Sequence, residues 1–443
     1  MPQRAILDHE FIDWTKSSFQ LLENGLNGSA RLPFHGVRKA AVAQFAKLGL
    51  PTTRDEEWKY TNVLPIFKNQ FALANQEPVV AKNAIDAFGF EGLRDKMIVL
   101  VNGRFSKELS TLAIDDSTVK VGSLSDAIAR GEKAVQEHLS RYADFNSEPF
   151  VALNTAFTLD GTFIHIPDDI SMPHPIHLCH IVVAEDAAAA IASPRTLMVV
   201  GKNSQVHLIE SYHTLEESAH LTNAVTEVVL EQGATVEHIK MQLESKSAYH
   251  IAASTVHQAE KSCFSSVNID LGGAIVRNNL NVVLNGENAE SHLYGFFRTT
   301  GSQLIDNHTF IDHAVPNCES NELYKGILDD SSKGVFNGKV LVRQDAQKTN
   351  AFQESKCLLL TDDAVMYAKP QLEIFADDVK CSHGATVGQL DEDAQFYLRS
   401  RGIGEEKANS ILRHAFASDI FERIEVAEVR DMLESLVFEH FND

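Results

Sequence analysis

Cysteine is scarce in this chain, and the few cysteines present do not form a recognisable ligand set. Five cysteines, at positions 179, 263, 318, 357 and 381, are scattered over 443 residues, and no two of them form a CxxC pair. This odd, scattered set argues against a disulfide framework and against a zinc site built by this chain alone. We therefore expect reduced thiols and a cytoplasmic protein.

Long apolar runs and common catalytic motifs are also missing. No stretch approaches the length of a membrane span, and the N-terminal MPQRAILDHEFIDW carries acids where a secretory signal needs an apolar region. The motifs GxxxxGKS, GxxxxGKT, HExxH, GxSxG and GxGxxG do not occur. These absences argue against a nucleotide hydrolase, a zinc protease and a serine hydrolase, so we expect no complete active site in this chain.

Basic side chains are in the minority. The chain has 39 Lys and Arg against 61 Asp and Glu, which gives a formal net charge of −22. Such a surface repels phosphate backbones, so nucleic acid is a poor candidate partner. The stretch RGIGEEKANSIL is similar to the glycine hairpin of helix-hairpin-helix modules, which leaves DNA binding as an alternative. Its two glutamates would, however, oppose phosphate.

The chain contains a long stranded middle between two helical ends. Near the N-terminus, apolar residues recur at helical spacing at Phe11, Trp14, Phe19 and Leu22. From about residue 150 to 390, apolar and polar residues alternate instead, as in Ile239-Lys240-Met241, which predicts half-buried strands. No helix-length pattern interrupts them, which argues against a doubly wound α/β sheet and leaves a large sandwich or a parallel solenoid. One uninterrupted strand region of this length favours stacked coils.

Two soft donors lie close together near the end of the stranded region. Cys381 and His383 are two residues apart in VKCSHGATVG, so in a strand both side chains leave the same face. Thiolate and imidazole suit iron, iron-sulfur clusters or copper, but two donors make only half of a four-coordinate site. A partner chain would supply the others. The alternative is that both residues simply pack in the interior.

Two further features have competing interpretations. The C-terminal region carries a wide apolar stripe that includes Leu412, Phe416, Ile420, Phe421 and Ile424. Such a stripe either packs on the body of the protein or docks another protein. Acidic pairs at 168–169, 329–330, 362–363 and 377–378 suggest a solenoid carbohydrate lyase as an alternative, although acidic pairs commonly solvate turns.

Several segments together resemble the SufB/SufD family of the Suf iron-sulfur cluster assembly system. They follow one another over nearly the whole chain: PTTRDEEWKYTNV, NSEPFVALNTAF, DGTFIHIP, YGFFRTTGSQLIDNHTFIDHAVPNCES, FNGKVLVRQDAQKTNAFQ, VKCSHGATVG and DEDAQFYLRSRGI. The EEWKYT segment and the small number of cysteines resemble the D-type branch of that family more than the B-type.

The resemblance implies a fold and a set of partners. The fold would be a right-handed parallel β-helix core at residues 96–389, including the segment that leads into it, between helical regions at 1–95 and 390–443. The partners would be the paralogous SufB and the ABC-type ATPase SufC, which supplies ATP hydrolysis to a non-catalytic scaffold; a homodimer is a further state.

The resemblance also implies a site and cofactors. His383 and Cys381 would contribute to a nascent iron-sulfur cluster shared with SufB, and His383 is the better candidate. The stripe from Leu412 to Ile424 would dock SufC. Reduced FAD would belong to the assembled complex.

Overall fold

The computed structural model describes residues 2–74, 80–90, 92–112, 118–183 and 189–440. The helices are α1 Pro2–Gly25, α2 Pro33–Leu48, α3 Leu64–Phe67, α4 Lys82–Asp86, α5 Leu124–Arg130, α6 Lys133–His138, α7 Pro149–Phe157, α8 Glu392–Ser400, α9 Glu405–Phe421 and α10 Ala427–His440, with 3-10 turns at Asn27–Arg31 and Glu56–Trp58. The first eleven strands are β1 Phe71–Leu73, β2 Met97–Val101, β3 Arg104–Ser106, β4 Lys120–Ser123, β5 Thr162–Ile166, β6 Ile176–Val182, β7 Ala189–Ala192, β8 Arg195–Val200, β9 Gln205–Thr214, β10 His220–Leu230 and β11 Thr235–Gln242. The others are β12 Tyr249–Gln258, β13 Cys263–Asp270, β14 Ile275–Leu284, β15 Glu290–Thr299, β16 Leu304–His313, β17 Glu319–Leu328, β18 Lys333–Val342, β19 Asn350–Leu359, β20 Val365–Ala368, β21 Gln371–Ile374 and β22 Lys380–Gly388.

The strands form two sheets that the chain visits alternately. A twelve-stranded sheet, here sheet A, contains the run β8-β10-β12-β14-β16-β18, and a ten-stranded sheet, here sheet B, contains β6-β9-β11-β13-β15-β17-β19-β22. Neighbours within these runs are parallel, and equivalent positions in sheet B recur every 27 to 31 residues from β9 onward. The result is a parallel β-solenoid of about 7 turns with helices at both ends of the chain, which confirms the predicted fold class.

The interior of the solenoid explains part of the alternating pattern. Side chains from both sheets meet in one apolar cluster between them, with Val236 and Phe264 from sheet B and Val256 and Val282 from sheet A. Since successive side chains of a strand point to opposite faces, these positions are separated by residues that face outward.

The prediction of half-buried strands is wrong for β11 and β13, where nearly every residue is buried. Lys240, on the inward face of β11, is buried and donates from Nζ to Asn278 Oδ1 at 2.7 Å. Asn278 and Asn268 in turn donate to Asp270, at 3.0 and 2.6 Å. These polar side chains satisfy one another across the two sheets, which removes the penalty of burying them unpaired.

The N-terminal helices cover the outer face of sheet A. Phe11, on the apolar face that the helical spacing of α1 predicted, packs in one cluster with Phe45 of α2 and with Leu221 and Ile251 of the sheet. At the end of α2, Gly49 has φ 65°, the left-handed conformation that glycine adopts readily.

The C-terminal helices cover the outer face of sheet B. Ile420 and Phe421 pack against outward-facing Ile239 and Phe296, and the rings of Phe296 and Phe421 meet edge to face at 5.5 Å. The predicted boundaries at residues 95 and 389 stay predictions. None of the helices in the described ranges combines the length and the apolar character needed to cross a membrane.

Candidate functional site at the open end of the solenoid

Strand β22 is the last strand of sheet B. It pairs with β19 on one side, and no other described strand pairs with its far edge. Its residues are exposed or half-buried throughout, whereas β11 in the middle of the same sheet is almost completely buried. An uncovered edge presents unpaired backbone N–H and C=O groups, which are a template for pairing with another chain.

Cys381 and His383 both lie on β22 and share one face. Cys381 is opposite Ala351 and His383 is opposite Gln353 on β19, so both occupy positions that face the solenoid interior in earlier coils. Cys381 is half-buried against the interior apolar cluster, and His383 is exposed. Burial raises the pKa of the Cys381 thiol, so the thiol stays protonated at neutral pH until a cation or an acceptor is present.

Behind His383, the same register position carries two more polar side chains. Gln353 Nε2 donates to Glu322 Oε2 at 2.6 Å, and Glu322 is the Cα partner of Gln353 on β17. Burial raises the pKa of Glu322 to about 7, so this carboxyl is half ionised near neutral pH. Sequence reasoning missed this pair because Glu322, Gln353 and His383 are about one coil apart along the chain.

Apolar side chains surround the open end. Phe352, Ile374, Phe375 and Val387 are all exposed, and Phe375 is 64% exposed. Phe352 lies on β19 and Val387 on β22, the last two strands of sheet B. Exposed apolar groups next to an unpaired strand edge are typical of a surface that another protein covers.

The predicted docking stripe is only partly accessible. Ile420, Phe421 and Ile424 are at most 1% exposed and pack on sheet B, whereas Leu412 and Phe416 are half-buried. Lys325 of β17 donates to the backbone oxygen of Phe416 at 2.9 Å, which fixes α9 to the sheet. The stripe therefore has a packing role in this chain, and a docked partner would contact the outer face of the C-terminal region.

That outer face carries aromatic residues that the sequence argument did not single out. Phe396 and Tyr397 on α8 are 73% and 56% exposed, and no residue of α8 is buried. Asp391 caps α8 by accepting from the backbone N–H groups of Asp393 and Ala394, so the helix has its own N-terminal stabilisation. Helix α8 consequently presents apolar side chains to solvent.

The four acidic pairs of the lyase alternative lie in different turns of the solenoid. Carboxylates in three of the pairs have local structural partners: Asp168 Oδ1 accepts from the Lys202 backbone N–H at 2.8 Å, Asp330 Oδ2 accepts from the Gly301 backbone N–H at 2.7 Å, and Asp378 forms an ion pair with Lys348. Asp169 and Asp330 adopt positive φ, as turn residues do. The pairs at 168–169, 329–330 and 377–378 therefore serve turns between coils.

The fold defines a parallel β-solenoid protein with an uncovered strand, β22, at the end of sheet B in the described part of the chain. The family model described as "SUF system FeS cluster assembly, SufBD core domain" matches residues 181–416. The family model described as "SufBD protein N-terminal region" matches residues 11–178. The chain belongs to the SufBD family of iron-sulfur cluster assembly proteins.

Curated relatives agree with this assignment. The chain is 34% identical over 408 residues to an iron-sulfur cluster assembly SufBD family protein of Synechocystis, covering 90% of this chain and 89% of the relative. It is 32% identical over 387 residues to the iron-sulfur cluster assembly protein SufD of Escherichia coli, covering 86% and 87%. It is 28% identical over 428 residues to the chloroplastic protein ABCI7 of Arabidopsis thaliana, covering 93% and 87%.

Proposed function

We propose that this chain is a D-type scaffold subunit that brings His383, together with Cys381, to a site where nascent iron-sulfur clusters are built against a SufB-type paralogue. The single observation that carries the proposal is the position of both residues on β22, an uncovered last strand. A donor pair in the closed interior would be out of reach of a second subunit. Here the same face of the strand is open.

The chemistry of the two residues supports this role. Imidazole and thiolate are ligands that iron-sulfur centres use, and a cluster requires more donors than this face offers. The adjoining strand edge and the exposed Phe352 and Val387 give a partner sheet both hydrogen-bonding groups and apolar area. In this proposal the cluster is the cargo, and the second subunit completes its ligand set.

The C-terminal helices would connect the scaffold to an ABC-type ATPase of the SufC type, which would supply ATP hydrolysis. The exposed Phe396 and Tyr397 on α8 support a docking surface there. Because α9 packs directly on β15 and β17, force applied to the helices reaches sheet B. A rigid-body movement of this kind would open or rearrange the contact at β22.

The place of action and the remaining cofactor belong to the same proposal. All five cysteines are free thiols, which suits a reducing compartment such as the cytoplasm. Reduced FAD would belong to the assembled complex, and no step assigned to His383 or Cys381 involves it.

The role of His383 is tested by co-expression with SufB-type and SufC-type partners and measurement of iron and acid-labile sulfide in the purified complex. His383→Ala should lower both contents severalfold while the complex still assembles. Ser382→Ala is the matched control, because Ser382 lies on the opposite face of the same exposed strand. Unchanged iron and sulfide in His383→Ala would reject the role.

The docking surface is tested by capture of this chain on an immobilised SufC-type ATPase. The double variant Phe396→Asp with Tyr397→Asp should lose capture at least tenfold and keep its thermal unfolding temperature. Leu21→Asp on α1 is the control, since Leu21 is 72% exposed at the other helical end. Undiminished capture of the α8 variant would place the docking surface elsewhere.

A further inference from the structure

A polar cavity lies on the outer face of sheet B, where the covering helices end. It has a volume of about 280 Å³, and it is bounded by strands β9, β11, β13 and β15 and by the segment that joins α9 to α10. Elsewhere under the helices the outward positions of these strands are apolar, as at Ile239 and Val267. The cavity is therefore a local departure from an otherwise apolar contact.

Three possible metal ligands converge at one side of this cavity: Cys263 and His292 line it, and the exposed Glu290 lies next to them. Cys263 on β13 is directly opposite Glu290 on β15, and His292 follows two residues later on the same face of β15. The Cys263 Sγ atom, a ring nitrogen of His292 and a carboxylate oxygen of Glu290 all lie within 4.8 Å of one another. Ligand atoms about 2.0–2.3 Å from a tetrahedral ion are roughly 3.3–3.8 Å apart, so small side-chain adjustments complete the geometry.

His292 has a polar partner beside each ring nitrogen. Asn321 Nδ2 donates to His292 Nδ1 at 3.4 Å, and His292 Nε2 lies 3.7 Å from Glu290 Oε2. The neutral ring therefore carries its proton on Nε2, on the side of Glu290, and a cation bound at Nε2 would replace that proton.

A second group of possible metal ligands, His207, Glu237 and Glu425, lines the same cavity. His207 Nδ1 is 2.7 Å from Glu237 Oε2, and Glu237 Oε1 accepts from the backbone N–H of Glu425 at 2.7 Å. These three residues also have donor atoms within 4.8 Å of one another. Glu237 and Glu425 line the cavity and Glu290 lies beside Cys263, whereas one arginine, Arg423, lines it, with its guanidinium 5.3 Å from the Tyr294 ring. The excess negative charge attracts a cation.

The thiol of Cys263 is not prepared for nucleophilic chemistry. Burial, with the carboxylates of Glu290 and Glu425, raises its pKa to about 11, whereas reactive cysteines have lowered pKa values.

We propose that Cys263, Glu290 and His292 bind one divalent first-row transition metal ion, Zn²⁺ or Fe²⁺, with a coordination position open toward the cavity. A thiolate, an imidazole and a carboxylate form the donor set that these ions accept, and three protein ligands leave the ion exchangeable. The site is separate from the open end: β13 and β22 are four strands apart, about 19 Å at the usual strand spacing. The inference does not rest on the proposed function.

The test is a titration of the purified full chain with Co²⁺, which reports thiolate ligation through a sulfur-to-cobalt charge-transfer band. The band should saturate with one Co²⁺ at this site and should be lost in Cys263→Ser. It should persist in Ser265→Ala, a control on the same face of β13, and in Cys381→Ser. Excess Zn²⁺ or anaerobic Fe²⁺ should bleach it, and the more effective competitor identifies the preferred ion.

Alkylation of Cys263, located by mass spectrometry, gives a readout that does not depend on folding of a variant. Saturating Zn²⁺ should slow its modification at least tenfold in the unaltered chain. A charge-transfer band that survives in Cys263→Ser, or alkylation of Cys263 that is indifferent to Zn²⁺, would overturn the proposal.

Discussion

Strands β11 and β22 belong to the same sheet and differ in what covers them. The outward side chains Ile239 and Met241 of β11 lie under the C-terminal helices, and its inward Lys240 meets the polar side chains of His250 and Asn278 of sheet A. Strand β22 is exposed or half-buried along its length, and among the described strands it pairs with β19 alone. The middle of the solenoid is thus closed to solvent on both faces of the sheet, whereas its last coil is open. Soft donors on the open coil remain available to another subunit.

The largest loss of stability is expected when a charged side chain is placed between the C-terminal helices and sheet B. Ile420→Asp should destabilise the chain by at least about 4 kcal/mol, because Ile420 is fully buried and an unpaired carboxylate would enter an apolar contact. Phe396→Asp on the uncovered α8 should change stability by less than about 0.5 kcal/mol. Denaturant unfolding of both variants measures the difference. Equal stabilities would show that the helices do not seal sheet B.

The second prediction concerns Glu322, which lies two coils behind β22. Its pKa of about 7 is above the ordinary value of 4.5, so between these values the folded chain retains a proton that the unfolded chain has lost. Stability should therefore fall as the pH rises from about 4.5 to 7, by about 3 kcal/mol from this group. Glu322→Gln should remove that fall.

The control for Glu322→Gln is Glu354→Gln, because Glu354 is exposed on β19. Unfolding free energies measured across this pH range should separate the two variants, with the Glu354 variant following the unaltered chain. A Glu322→Gln variant with an unaltered pH profile would mean that Glu322 is ionised in the folded chain.

The third prediction compares the two faces of one strand of sheet A. Asn278→Leu removes the acceptor of Lys240 and a donor to Asp270 in the interior, which should cost about 2 kcal/mol. Asn281→Leu on the outward face of β14 should cost much less. The unfolding free energies of both variants are measured by chemical denaturation. If Asn278→Leu leaves the unfolding free energy unchanged, the interior hydrogen-bond network is not needed for stability.

The smallest effect on stability is expected at the open end. Phe352→Lys combined with Val387→Lys should leave the unfolding free energy within about 0.5 kcal/mol, because both side chains are exposed. The same variant should lose association with a SufB-type partner and any self-association. Light scattering during gel filtration, with and without the partner, measures both. Intact association would remove β22 and its surroundings from the interface.

The sequence predicted the positions of the strands better than it predicted which of their side chains are buried. The alternation around Ile239 and Met241 identified strands correctly, but the residues between them were expected to meet solvent. In a solenoid those positions face the interior between the two sheets, so Lys240 of sheet B bonds to Asn278 of sheet A. A pattern within one strand carries no information about that partner.

The candidate site was also only partly predictable. Cys381 and His383 could be paired because they are two residues apart, and β22 confirms the shared face. Gln353 and Glu322 lie at the same register position in earlier coils, and Cys263 is brought beside Glu290 by β13–β15 pairing. To predict such groupings, one must know which residues of successive coils pair with each other. The coils differ in length, so this register cannot be read from a fixed spacing in the sequence.

The most direct test of the account is the alkylation rate of Cys381 in the isolated chain and in the complex with a SufB-type partner. Cys381 should react in the isolated chain and be protected severalfold in the complex, because the partner covers β22. Cys357, one coil behind and 2% exposed, should stay unreactive in both states. A Cys381 that reacts equally fast with and without the partner would contradict the claim that the open end is where the subunits meet.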